Sequence, residues 1–284
     1  MVYLISQTLN GLFSAALLFL MASGLTLVFG VMRIVNVAHG SYYMLGVYIA
    51  LTVVKRTHSL FLGAIAAVLI VGVIGLGMER FFLRRFASHS LAQMMITMGF
   101  ALIFRDATLL IWGGDPFTLP YPPLFHGSID FHDVVFPVYR LFVILIAGLV
   151  AFLLWLLSEK TLLGAKLRAA VDDPEMAGAV GINVALLSGV IFAAGAGLAA
   201  FGGVMGGPIL GGYPGMDFDL LPLAFVVVIV GGMGSLKGAV AGSILVGLTD
   251  NFGKALVPEL SYFTLFAPMV IVLALKPTGL LGRG

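Results

Sequence analysis

Cysteine is absent from this chain, which excludes disulfides, thiolate nucleophiles and cysteine-bound metals but leaves the compartment open. Charge is the second scarcity: Asp, Glu, Lys and Arg make up only 10% of the 284 residues, with none from Met1 to Met32 and none from Met176 to Met216. An ionised group at the centre of a bilayer costs about 2.5–3.5 kcal/mol, so lipid is the solvent that selects such runs. A net charge of +2 carried on scattered Lys and Arg excludes a nucleic-acid surface. The first positive residue is Arg33, so the basic start of a cleaved signal peptide is missing, and Met1 is expected to belong to the mature protein.

Chemistry-bearing motifs are missing as well. "GGMGSLKG" lacks the Gly-Lys-Ser/Thr ending of a phosphate loop, so the chain is not expected to hydrolyse ATP. His39, His58, His89, His126 and His132 lack the close spacing of a metal motif or a nucleophilic triad. No catalytic residue, no metal and no cofactor is therefore expected on this chain, and an intramembrane enzyme is disfavoured.

What is present is apolar: 61% of the residues are hydrophobic and the mean hydropathy is +1.13. Apolar runs fall near 9–31, 40–54, 60–78, 91–112, 139–158, 184–206, 220–232, 237–255 and 262–275. A spanning helix needs about 20 residues, and the seventh run is too short. It reads as a half-helix breaking at Gly231 to Ser235. The expected fold is an all-α integral membrane protein, a bundle of about eight transmembrane helices plus a short re-entrant or broken helix.

Lys and Arg set the orientation. If Glu79 to Arg85 is cytoplasmic, Arg33, Lys160, Lys166, Arg168, Lys237, Lys276 and Arg283 fall on the same side, against Lys55, Arg56, Arg140 and Lys254. The amino terminus is then outside and the carboxyl terminus inside. The outer connection, Gly113 to Pro137, carries Asp115, Asp130 and Asp133 among prolines and reads as an irregular acidic loop. The inner one, Glu159 to Asn183, holds helix signals: Asp173 as a cap, Pro174 in the first turn and Gly181 after the last. Two short helices, Leu162 to Val171 and Pro174 to Val180, are expected across the inner face. They suit either interfacial helices anchored by Lys166 and Arg168 or a docking surface for a cytoplasmic partner.

Polar residues interrupt two apolar stretches. Phe29 to Gly46 contains Arg33, Asn36 and His39; Val228 to Gly242 contains five glycines and Lys237; each holds a Gly-Ser pair, Gly40–Ser41 and Gly234–Ser235, that opens a second helix. Interrupted segments in corresponding halves point to a translocation site, although capping and interior hydrogen bonds account for Asn36 and His39 equally well. Arg105 and Asp106 sit together inside a predicted span and read as a structural pair near its outer end or as part of a polar lining, the pair being favoured, with Asp106 the sole mid-membrane carboxylate. Small residues from Ala193 to Gly207 predict a buried, closely packed helix.

Three stretches, "GLTLVFGVMRIVNVAHGSYYMLGVYIA", "RAAVDDPEMAGAVGIN" and "AFVVVIVGGMGSLKGAVAGSILVGL", resemble the LivH-type permease family, the membrane subunits of ABC importers for branched-chain amino acids and related amides or urea. The resemblance implies one permease domain over residues 1–284 in a bacterial inner membrane, with an external loop at 113–137 and a coupling loop at 159–183. It implies a second homologous permease, two cytoplasmic ATPases that carry ATP and Mg, a periplasmic substrate-binding protein and surrounding lipid, with the pathway between the two permeases. Carried over, Arg168, Ala169, Asp172, Asp173, Glu175 and Gly181 form the ATPase-coupling segment. Asn36, Ala38, His39 and Gly40, with Gly231, Gly232, Gly234 and Ser235, are the broken-helix residues near the pathway. Arg105 and Asp106 stand where related permeases tend to carry uncharged polar residues. A partner-independent facilitator for urea or amides is the rival reading.

Overall fold

The computed structural model describes residues 2–87, 89–131 and 134–282, and it is built almost wholly from helices. In chain order they are α1 (Val2–Met32), α2 (His39–Thr57), α3 (Leu60–Phe81), α4 (Ser90–Trp112), α5 (Val138–Lys160), α6 (Leu162–Asp172), α7 (Pro174–Ala179), α8 (Val184–Leu210), α9 (Met216–Gly231), α10 (Leu236–Leu256) and α11 (Ser261–Leu275). Among the described residues, α1, α3, α4, α5 and α8 are long and apolar enough to cross a membrane, and α9 with α10 forms a bent pair that passes the same test jointly. Their predominantly apolar lengths leave intrahelical bonding as the main outlet for backbone polar groups in lipid. Helix starts follow the caps: Ser59 and Asn183 accept from the Leu62 and Leu186 amides at 3.3 and 2.9 Å.

The centre of the bundle is α1, α8 and α10 with α2 and α9 packed on them, while α3 lies along α8. Close approach depends on missing side chains: a methyl group on Gly24 would lie 2.3 Å from the Gly195 carbonyl oxygen, and one on Gly203 would lie 2.2 Å from that of Tyr43. The expected buried character of Ala193 to Gly207 is realised in α8, where Gly195, Ala196, Ala199, Ala200, Gly202 and Gly203 are all buried.

The bundle has two ends. At one, β1 (Ser128–Phe131) pairs antiparallel with β2 (Val134–Pro137), so the connection expected to be irregular contains a hairpin; His132 and Asp133 lie outside the described residues. The start of α1 is tied there, with the Arg140 guanidinium donating to Asn10 and lying over the Phe13 ring. The other end carries α6, α7 and the turn after α3, where Arg84 donates to Glu79 at 2.6 Å and to the Ala185 carbonyl at 2.7 Å. We call these the hairpin end and the α6–α7 end. Residues 276–282 fold back at the α6–α7 end; Arg283 lies outside the described residues.

Candidate functional site

The first interrupted stretch does break a helix, and it does so inside the bundle. After Met32 the chain leaves α1 through Arg33, whose φ is +53°, and runs without helix to Ala38. The Asn36 side-chain oxygen accepts from the Ala38 amide and the Thr97 hydroxyl accepts from the Val37 amide, both at 3.1 Å, which satisfies backbone freed by the break. His39 Nε2 lies 2.9 Å from the Met21 carbonyl oxygen, and because a carbonyl only accepts, that nitrogen carries the proton. Met21 sits about 16 Å, eleven residues of rise, before the end of α1. The chain has therefore doubled back, and α2 starts in the interior.

α9 starts at the same place. Ser41 Oγ donates to Asp217 Oδ2 at 2.7 Å, with Ser41 0% and Asp217 2% exposed, and Gly40 packs directly on the Asp217 carbonyl. From this junction α2 runs towards the hairpin end, where Trp112 Nε1 donates to Thr52 at 2.8 Å. α9 runs the other way, to Gly231 near the Gly30–Gly234 contact. Two helix amino termini thus meet around one buried carboxyl group, at ends whose partial positive charge favours an acidic side chain.

One expectation is corrected here. Asp106 is not the sole carboxylate within the bundle's depth, because Asp217 is buried at the interior junction. The first break meets the start of α9 at Asp217, and Gly30, just before it, meets Gly234 of the second. Of the paired Gly-Ser motifs only the second caps a helix: Ser235 Oγ accepts from the Gly238 amide at 3.0 Å, whereas Ala38 precedes α2 and Ser41 bonds across to α9. Asp217 went unread because hydropathy treats charge as a boundary. Its signal was an acidic pair, Asp217 and Asp219, in a first turn immediately after Gly215.

The second break lies at the α6–α7 end. α9 and α10 meet at 117°, with Gly232 and Gly234 at φ of +103° and +79°. The carbonyls released at the end of α9 are taken by the folded-back tail, Leu280 N–H to Val230 at 2.8 Å and Leu281 N–H to Gly231 at 3.0 Å. Asn36, Ala38, His39 and Gly40 therefore stand at the interior junction, and Gly231, Gly232, Gly234 and Ser235 at the bundle end.

The expected coupling residues separate into a base and a tip. Ala170, Ala177 and Leu187 form a small core with Leu167, Ala169 and Ile182, and the Arg168 guanidinium donates to the Ser158 carbonyl, fixing α6 to the end of α5. Asp173 accepts from the Met176 amide at 2.9 Å and starts α7, and Gly181 takes φ of +87° as its sequence position predicts. Asp172, Asp173, Glu175 and Gly181 are exposed, as are Met176 and Val180 at 61% and 69%. A cavity of about 870 Å³ joins this segment to the second break; Arg33, Ser158, Arg168, Asp172, Gly234 and Lys237 lie along its wall.

Arg105 and Asp106 bond each other at 3.3 Å on an exposed face of α4, a weak surface pair.

Known proteins are similar to this chain along nearly its whole length. BraD, the high-affinity branched-chain amino acid transport system permease protein of Pseudomonas aeruginosa, is 29% identical over 98% of this chain and 96% of its own. LivH, the protein of that description in Escherichia coli strain K12, is 28% identical over 99% and 96%. A solved metal-chelate type ABC transporter in an inward-facing conformation overlays on 96% of this chain and 85% of its own, at 21% identity and a TM-score of 0.49. Residues 7–273 match the family model described as the permease component of the branched-chain amino acid transport system, and this chain belongs to that family.

Proposed function

We propose that this chain is the transmembrane permease subunit of an ATP-driven importer and forms half of the pathway by which small amino acids of the branched-chain type cross the inner membrane. A second homologous permease supplies the other half, a periplasmic binding protein delivers substrate, and two cytoplasmic ATPases hold ATP and Mg. The observation that carries this reading is the form of the α6–α7 segment: an exposed acidic tip on a base bonded to α5, with one cavity linking it to the α9–α10 break. A displacement of α7 is passed to Arg168 and the end of α5 because the small Ala170–Ala177–Leu187 core is close-packed. Closing or opening the cavity then shifts the break against α1, and the two arrangements serve as the inward- and outward-open states of alternating access.

The experiment is reconstitution of the chain with its partner subunits in liposomes. ATP-dependent leucine uptake is expected from the assembly and none from the chain alone. Asp172→Lys with Glu175→Lys is expected to abolish substrate-stimulated ATP hydrolysis while leaving the permease inserted. Flux of urea or leucine through the isolated chain would replace the importer with a facilitator.

A further inference from the structure

Arg105, Asp106 and Asp219 place charge on the lateral wall of the bundle, where lipid would be a costly neighbour. Arg105 sits about 10 Å, seven residues of rise, short of the end of α4. Its side chain is 41% exposed and that of Asp106 64%. Asp219 is exposed in the first turn of α9, and its Oδ2 accepts from the Tyr213 hydroxyl at 2.7 Å. The Arg105 guanidinium lies 5.8 Å from the ring centroid of Phe218, the residue beside Asp219, so α4 and α9 present these groups on one surface. Elsewhere the wall is apolar: Leu69 and Val73 of α3 and Leu145 and Phe152 of α5 are exposed in runs without charge. Ionised side chains at this depth face water or protein rather than acyl chains.

These groups also have bonding capacity to spare. Arg105 spends one N–H on Asp106, leaving four of the five that a guanidinium offers. Asp219 has one oxygen engaged by Tyr213. A guanidinium fork and a carboxylate at one place match the two charges of a zwitterionic α-amino acid, the first in bidentate geometry. We propose that the α4–α9 surface lines the translocation pathway, with Arg105 holding the carboxylate and Asp219 the ammonium group of the passing amino acid. This rests on the permease reading above and adds the residues that meet the substrate.

The natural lack of cysteine makes the test direct. Asp106→Cys, beside the proposed site but outside it, and, as a lipid-facing control, Leu145→Cys are assembled with the partner subunits in proteoliposomes and treated with a cationic methanethiosulfonate. The first is expected to react and to be slowed by saturating leucine, and the control to stay unmodified. In leucine uptake, Arg105→Gln is expected to raise KM about tenfold, as loss of a charge-assisted bond does, with kcat changed far less and Arg105→Lys recovering part of it. Reaction unaffected by leucine, or an unchanged KM in Arg105→Gln, overturns the proposal while ATP-driven uptake by the wild-type assembly keeps the permease reading. Absence of that uptake overturns both.

Discussion

At the scale of single residues the molecule turns on Ser41 and Asp217, which are 176 positions apart and 2.7 Å from each other. Neither works by its own chemistry alone. The carboxylate is tolerable in an apolar interior because it accepts from Ser41 at the amino termini of α2 and α9, and the hydroxyl is tolerable because it donates to the carboxylate. Removing either partner leaves the other buried and unpaired, at a cost of about 1–3 kcal/mol. Ser41→Ala and Asp217→Ala are each expected to lower the thermal midpoint of the detergent-purified protein, and the double variant to fall short of the sum by more than about 0.5 kcal/mol. Additive losses would mean that the two side chains stabilise separate parts of the bundle and that the junction is incidental.

Between elements the governing distance is backbone to backbone. α2 and α8 touch where Gly203 meets the Tyr43 carbonyl, and a methyl group there has to force the helices apart. Gly203→Ala is expected to destabilise by about 1–3 kcal/mol, the usual range for overpacking. Gly148→Ala on α5, with nothing within 4 Å, should be neutral or gain up to about 1 kcal/mol through helix propensity. Thermal midpoints of the two variants check the contrast, and equal effects would remove close packing as its cause. This contrast also explains how far the elements were legible. Apolar runs placed α3, α4, α5 and α10 to within a few residues, and the α6–α7 segment was readable in full because Asp173, Pro174 and Gly181 act locally. α9 was cut short at Leu220, since a first-turn acid interrupts an apolar run while favouring the helix it begins. The junction at Ser41 had no local signal at all: it is a tertiary contact between two chain breaks, one of which was hidden in the short connection after α8. The α4–α9 surface was half legible: Arg105 and Asp106 read as a structural pair or a polar lining, while the approach of Phe218 from α9 is a tertiary contact with no local signal.

For the whole molecule the question is which end faces the cytoplasm, and the distribution of positive charge gives an answer that can be checked. Arg33, Arg80, Arg84, Arg85, Lys160, Lys166, Arg168, Lys237 and Lys276 belong to the α6–α7 end, whereas Lys55, Arg56, Arg140 and Lys254 belong to the hairpin end. Short connections rich in Lys and Arg stay on the cytoplasmic side during insertion, so the α6–α7 end is expected inside and the hairpin outside. Leu124, 83% exposed beside the hairpin, and Met176, 61% exposed on α7, are suitable positions for a single cysteine in a chain that has none. In intact spheroplasts a membrane-impermeant maleimide is expected to label Leu124→Cys at once and Met176→Cys only after permeabilisation. The opposite pattern would invert the bundle and leave Asp172, Asp173 and Glu175 on the side where no cytoplasmic ATPase reaches them. Coupling through α7 would then be impossible whatever the local geometry, because a lever transmits force only from the compartment that holds the motor.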